Sequence, residues 1–200
     1  MLVLASASPR RRDLLTQAGF VFAVQAAAVD EEPRPAEAPI PYVLRLAAEK
    51  AEAVYAQRKP TDIVLGADTT VVAPDGEILG KPSDEADAAR MLRLLAGATH
   101  QVITGVAVVS TRGTETAAEI TYVSMLTLSD AEITDYIATG EPMDKAGAYG
   151  IQGRAARWIP RIHGCYANVV GLPLALVAGM IEGVEARGRA NRETVAASST

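Results

Sequence analysis

Apolar runs and amphipathic stretches alternate along this chain, and the switches between them mark out its elements. Leu2 to Ala5 is a short apolar run suited to a buried strand. Ser8-Pro9 then starts a helix, because a serine hydroxyl can accept from an early backbone N–H and proline suits the first helical position. Leu14, Leu15 and Ala18 form its buried stripe, and Gly19 stops it. Phe20 to Ala27 reads as a second strand, followed by the acidic Val29-Asp-Glu-Glu32 and a proline-rich loop from Pro33 to Pro41. A long helix is expected from Pro41 to Gln57, with Val43, Leu46, Ala47, Ala51 and Val54 at helical spacing.

Ile63 to Val72 is strand-like but interrupted by Gly66-Ala-Asp-Thr-Thr70. Pro74-Asp-Gly76 makes a turn, and Ile78-Leu79 leads into Gly80-Lys-Pro82. Ser83 caps a helix with the stripe Ala88, Met91, Leu92 and Leu95, ending at Gly97. His100 to Ser110 and Thr116 to Thr127 are expected as two strands joined at Arg112-Gly113. Ser129-Asp-Ala-Glu132 is a capping box with Leu128 and Ile133 as its hydrophobic staple, and that helix stops at Gly140 and Pro142. Arg157 to Val170 reads as a strand or hairpin. Pro173 opens a last helix with Leu176, Val177, Met180, Ile181 and Val184 inward. The expectation is one domain over residues 1–186 and a polar, flexible tail over 187–200. Strands alternate with helices until two long strands follow each other directly, which predicts an α/β fold with a mixed sheet.

Composition narrows the function. At 49% hydrophobic and 22% charged residues, the chain is of ordinary soluble globular type. A net charge of -5 argues against a general nucleic-acid binder, so any anion site must concentrate positive charge locally. The single cysteine, Cys165, cannot form an internal disulfide and fits a reducing, cytoplasmic location. His100 and His163 are too few for a structural zinc site. The N-terminus has its cations after a short apolar run, unlike a signal peptide. Ile162 to Ile181 is uncharged, but His163, Asn168, Gly171 and Pro173 divide it, so it reads as core and no membrane partner is expected.

A few polar residues stand out against this pattern. Arg10, Arg11 and Arg12 occupy the first turn of a helix, where the dipole already disfavours cations. Either they are solvated beside an acidic neighbour, or an anion binds there to free N–H groups and guanidinium forks. Lys50 falls inside an apolar stripe, so it either snorkels to water or points into a polar cleft. Asp68 lies between Ile63-Val-Leu and Val71-Val72, where a carboxylate is costly unless paired or holding a metal. Glu141 to Gly153 is glycine-rich, with Asp144, Lys145 and Gln152, but has neither Walker nor dinucleotide spacing. A cysteine hydrolase using Cys165 and His163 lacks an orienting acid or oxyanion loop, and a packed cysteine is the plainer reading. Taken together, Arg10, Arg11, Lys50, Lys81, Glu31 and Asp68 suit a polyphosphate with its divalent metal.

Ser6-Ala-Ser-Pro-Arg-Arg11, Val29-Asp-Glu31, Glu49-Lys-Ala51, Gly66-Ala-Asp-Thr69, Gly80-Lys-Pro82, Asp144 to Gly153 and Asn168-Val-Val-Gly-Leu-Pro173 together resemble the Maf family. The resemblance implies a mixed sheet with flanking helices, forming two lobes around a cleft, similar to inosine triphosphate pyrophosphatases. It also implies hydrolysis of a nucleoside triphosphate to the monophosphate and pyrophosphate with Mg²⁺ or Mn²⁺, by a homodimer. Asp68 would be the proton acceptor. Ser8, Arg10, Arg11, Lys50 and Lys81 would bind phosphates, and Glu31, with Asp68, would hold the metal. Arg10, Thr69 and Gln152 match the branch acting on dTTP and UTP, and Gln152 can offer a donor and an acceptor to a pyrimidine edge. The same family resemblance carries an alternative, a nucleotide-sensing regulator of septum formation. A carboxylate beside phosphates speaks against a pure sensor, since it repels them unless it binds metal or acts as a base.

Overall fold

The computed structural model describes the backbone of residues 1–197 and the side chains of residues 1–187. Its strands are β1 (Leu2–Leu4), β2 (Phe22–Val24), β3 (Ile63–Val72), β4 (Ile78–Leu79), β5 (Thr99–Ser110), β6 (Gly113–Ser124) and β7 (Arg161–His163). Its helices are α1 (Pro9–Gln17), α2 (Pro39–Tyr55), α3 (Glu85–Leu95), α4 (Asp130–Ile137), α5 (Tyr166–Val170) and α6 (Leu174–Ala197). One seven-stranded sheet runs β2-β1-β3-β5-β6-β7, with β4 paired to β3. β1 is parallel to both of its neighbours, and the remaining pairs are antiparallel. The sheet is mixed because crossovers through α1 and α2 build its parallel part, whereas direct turns join β3 to β4 and β5 to β6.

β3 organises the interior. Val64, on its even-numbered face, packs with Ala47, Ala51 and Val54 of α2, whereas Leu65 and Ala67 join Leu14 and Leu15 of α1 and Val177 and Ile181 of α6. This is the period-two alternation of a strand buried on both sides. A third core lies at the other end of the long strands, where Val71, Val102 and Val123 meet Leu92 of α3, Tyr136 of α4 and Trp158. The two ends form two lobes, and a cleft opens between them.

Two glycines bring α2 down onto the sheet. A Cβ at Gly66 would lie 2.2 Å from the Ala47 carbonyl oxygen, and one at Gly105 would lie 2.3 Å from that of Val43. Only glycine permits that approach. Gly105 pairs directly with Asp68, so the close packing sits at the register position of the carboxylate.

Several boundaries differ from those expected. Residues 66–70 do not interrupt β3, which pairs with β5 without a break from Val64 to Val72. α2 starts at Pro39, since prolines in a first turn remove N–H groups that have no partner there anyway. Asp84, not Ser83, caps α3, and its carboxylate accepts from the Asp87 N–H. The second long strand begins at Gly113 and ends at Ser124. Arg157 to Val170 is neither one strand nor a hairpin: a 3-10 turn ending at Trp158, β7 and α5 share it, and Gly164 at φ 130 turns the chain between the last two. α6 continues in backbone to Ala197. The side chains from 188 and the whole of 198–200, where most of the expected tail falls, lie outside the described residues.

Candidate active site

A cleft of about 600 Å³ lies between the lobes, and it is lined by Ser8, Arg10, Arg11, Glu31, Lys50, Asp68, Thr69, Lys81 and Gln152. These are the nine residues singled out from the sequence, and the fold brings all of them to one place. β3 contributes Asp68 and Thr69, which point to opposite faces as neighbours in a strand must. Asp68 faces α2 and meets Lys50, whereas Thr69 faces α1 and meets Arg11.

On the α2 side, Lys50 Nζ lies 2.7 Å from Asp68 Oδ1 and 2.6 Å from Glu31 Oε1. The side chains of Lys50 and Asp68 are only 10% and 12% exposed, so this is a nearly dry ion pair. Burial alone would push the Glu31 carboxyl up, but the hydrogen bond and charge of Lys50, with Lys81 and Arg11, hold it below its ordinary value. Glu31 rides on an otherwise irregular loop that two contacts fix. Tyr42 Oη donates to the Glu31 carbonyl at 2.9 Å, and Arg45 donates to the Glu32 carbonyl at 3.2 Å. Burial, together with Asp68 and Glu31, pushes the Tyr42 hydroxyl up to about 12, so it stays a donor. Arg45 is held in turn by a bidentate pair with Glu37, at 2.7 and 2.6 Å.

On the α1 side, Ser8 caps the helix and its hydroxyl accepts from the Arg11 N–H at 3.4 Å. The Arg11 guanidinium donates to the Gly171 carbonyl at 2.8 Å, to Ser6 Oγ at 3.2 Å and to Thr69 Oγ1 at 3.0 Å. Burial lowers its pKa, and the negative charges of Asp68 and Glu31 work against that. Thr69 Oγ1 also touches Thr104 Oγ1 at 2.9 Å, and Thr104 donates to the Asn168 carbonyl. Asn168, fully buried, donates to the Val102 carbonyl and to Thr121 Oγ1. Sequence reasoning missed Ser6 and Gly171 as supports of Arg11, and Thr104 as the support of Thr69. The Asn168-to-Pro173 stretch marked where two of these contacts arise, without saying what they hold.

Across the cleft mouth, Arg10 donates to Asp144 Oδ2 at 2.9 Å. Lys81 and Gln152 are exposed and reach the cleft from the segment after β4 and from the Glu141–Gly153 loop. Cys165 is half-buried and precedes α5, with its backbone paired to Thr121 Oγ1, and His163 is exposed on β7. Neither lines the cleft.

No group of three or more His, Cys, Asp or Glu among the described residues forms a metal cage. The donor set still fits a hard divalent cation. Two carboxylates converge on one ammonium, and such ions are commonly held by one or two carboxylates with waters and substrate phosphates. No helix among the described residues is long and apolar enough to cross a membrane.

The mixed α/β sheet carries a cleft lined by five cations, Arg10, Arg11, Lys50, Lys81 and Lys145, and four carboxylates, Glu31, Asp68, Glu141 and Asp144, a charge pattern suited to a polyphosphate with its cation. The chain belongs to the Maf-like protein family, whose profile matches residues 1–184. It is 55% identical over 180 residues to the dTTP/UTP pyrophosphatase of Koribacter versatilis (strain Ellin345), covering 90% of this chain and 92% of that one. It is 56% identical over 182 residues to the dTTP/UTP pyrophosphatase of Symbiobacterium thermophilum, again covering 90% and 92%. A solved nucleoside-triphosphatase, the dITP/XTP pyrophosphatase of Mycobacterium abscessus, overlays with a TM-score of 0.45 at 15% identity, covering 96% of this chain and 95% of that one.

Proposed function

We propose that this protein hydrolyses dTTP and UTP, with modified pyrimidine triphosphates, to the nucleoside monophosphate and pyrophosphate. The observation that carries the chemistry is Asp68, a buried carboxylate at the cleft wall that shares the Lys50 ammonium with Glu31. The relatives' dTTP/UTP pyrophosphatase names support the substrate and reaction.

Water attacks the α-phosphorus, a new P–O bond forms, the α–β bridging bond breaks, and pyrophosphate leaves. Asp68 takes the proton from the attacking water. In the free protein its Oδ1 is occupied by Lys50; incoming phosphate oxygens compete for that ammonium and release the carboxylate to act as base. Lys50, Lys81 and Arg11 offset the charge that builds on the phosphates, the term such reactions depend on most. Arg11 is oriented before substrate arrives, since protein acceptors already fix its fork. Ser8 adds a hydroxyl at the α1 N-terminus. Thr69 and Gln152, with Arg10, face the nucleoside. Mg²⁺ or Mn²⁺, held by Glu31 and Asp68 with phosphate oxygens, would neutralise the triphosphate. The single pyrophosphatase domain over residues 1–186, the tail over 187–200, a homodimer and a cytoplasmic location complete this reading. The family profile and the lone cysteine support its first and last parts.

The test is product analysis with a panel of ribo- and deoxyribonucleoside triphosphates and Mg²⁺. Pyrophosphate and monophosphate from dTTP and UTP are expected. Orthophosphate as the first product, or preferred turnover of purine triphosphates, would contradict the proposal.

A further inference from the structure

The Glu141–Gly153 loop supplies Asp144 and Lys145 to the cleft, and neither has a part in the chemistry above. Arg10 donates to Asp144 Oδ2 at 2.9 Å and, more weakly, to its carbonyl at 3.4 Å, while Lys145 Nζ donates to Asp144 Oδ1 at 2.6 Å. A donor, an acceptor and a second donor therefore stand in a row. Burial would push the Asp144 carboxyl up, but its bonds to Lys145 and Arg10 prevail and bring it down to about 2. At neutral pH it is a carboxylate and can only accept. Each of its oxygens spends one lone pair on a neighbouring cation and keeps another for a ligand.

The loop that carries Asp144 and Lys145 is firmly seated. Lys145 Nζ also donates to the Glu141 carbonyl, and its stem fills the space beside Gly150, where a Cβ would lie 2.6 Å from Lys145 Cε. Gly147, at φ 69, donates its N–H to the Gly80 carbonyl and lies so close to Val71 that a Cβ would meet Cγ2 at 2.9 Å. Tyr149 is anchored on buried His100 at 2.7 Å. Arg10 and Lys145 are the cations bonded to Asp144, whereas Lys50 is the cation bonded to Glu31 and Asp68.

We propose that Arg10, Asp144 and Lys145 form a donor–acceptor–donor row that reads the imide edge of a pyrimidine base, with Asp144 as the specificity-determining residue. The inference rests on the reading of this cleft as a pyrimidine nucleotide site. Uracil and thymine present O4, N3–H and O2 along that edge, which is acceptor, donor, acceptor. Cytosine presents an amine and a bare N3, so it meets Arg10 donor to donor and Asp144 acceptor to acceptor. Unpaired polar groups in a site built for hydrogen bonding carry large penalties. The edge does not include C5, so thymine and uracil satisfy the row equally, as do uracils substituted at C5.

Wild-type protein and Asp144→Asn would be compared with UTP, 5-methyl-UTP, N3-methyl-UTP and CTP for kcat/KM. UMP, CMP and N3-methyl-UMP would be compared for binding by calorimetry. Asp144 is largely exposed, so the variant should fold, and the methylated nucleotides probe the edge without altering the protein. For the wild type, UTP and 5-methyl-UTP should be equivalent, and N3-methyl-UTP and CTP should fall by roughly tenfold or more. Asp144→Asn should lower the UTP-to-CTP ratio by a similar factor, because an amide can turn its donor towards N3. Equal use of UTP and N3-methyl-UTP, or an equal loss on UTP and CTP in the variant, would overturn the proposal. Selective UMP binding without pyrophosphate release would support the row while contradicting the hydrolase reading.

Discussion

The Lys50 ammonium lies 2.7 Å from Asp68 Oδ1, and both side chains are almost wholly buried. Breaking one partner of a buried pair strands the other charge, at about 3–5 kcal/mol. Lys50→Met should therefore destabilise the fold by about that much. Adding Asp68→Asn removes the stranded charge and should recover part of the loss without restoring activity. Urea unfolding of the two single variants and the double variant gives the coupling.

Gly105 pairs with Asp68 in the sheet, and α2 rests on it. Gly105→Ala drives a methyl group into the Val43 carbonyl, which cannot yield without moving the helix that carries Lys50. A loss of roughly 1–3 kcal/mol is expected from overpacking of this kind. Turnover should fall with it. A mutant as stable and active as the wild type would show that α2 does not need this close seat.

His100 is 1% exposed, pairs through Nε2 with Tyr149, and leaves Nδ1 without a partner. Burial lowers its pKa from 6.5 to about 4. A base depressed in the fold stays neutral there while the unfolded chain takes up a proton, so stability falls as pH drops from about 6.5 to 4. The full effect is about 3 kcal/mol at 1.36 kcal/mol per unit. Thermal melts of wild type and His100→Phe across this window should diverge with that sign. Parallel curves would contradict it.

Arg45 ties the proline-rich loop to α2 through Glu37 and the Glu32 carbonyl, and Glu49 of the same helix braces it. Arg45→Met should free the backbone around Glu31. Amide exchange at Arg34 and Glu37 should speed up, and the Mn²⁺ concentration needed for half-maximal rate should rise several-fold with little change in kcat. A change in kcat alone would show that Glu31 does not depend on the strap.

Much of this architecture was legible from periodicity, and the reasons for success and failure are physical. The α2 stripe was readable because one face meets an apolar sheet, and the odd residue in it, Lys50, does face the cleft. β3 was misread as interrupted because Gly66 and Asp68 are poor strand formers. They are there for the α2 contact and the ion pair, which depend on partners distant in sequence. The stretch from Arg157 to Val170 defeated a pattern reading because its apolar residues serve three short elements. The supports of Arg11 were invisible for a simpler reason. Carbonyls and small hydroxyls, such as the Gly171 carbonyl and Ser6, carry no compositional signal, and only the fold brings them to the guanidinium.

The most direct test of the account is pyrophosphate release from UTP by Asp68→Asn, after calorimetry has shown that the variant is folded and still binds UMP. Loss of a positioned general base should reduce kcat by roughly 10²–10⁴-fold while nucleotide affinity is kept. A variant that releases pyrophosphate within about tenfold of the wild-type rate would contradict the assignment of Asp68 as the group that takes the proton from water.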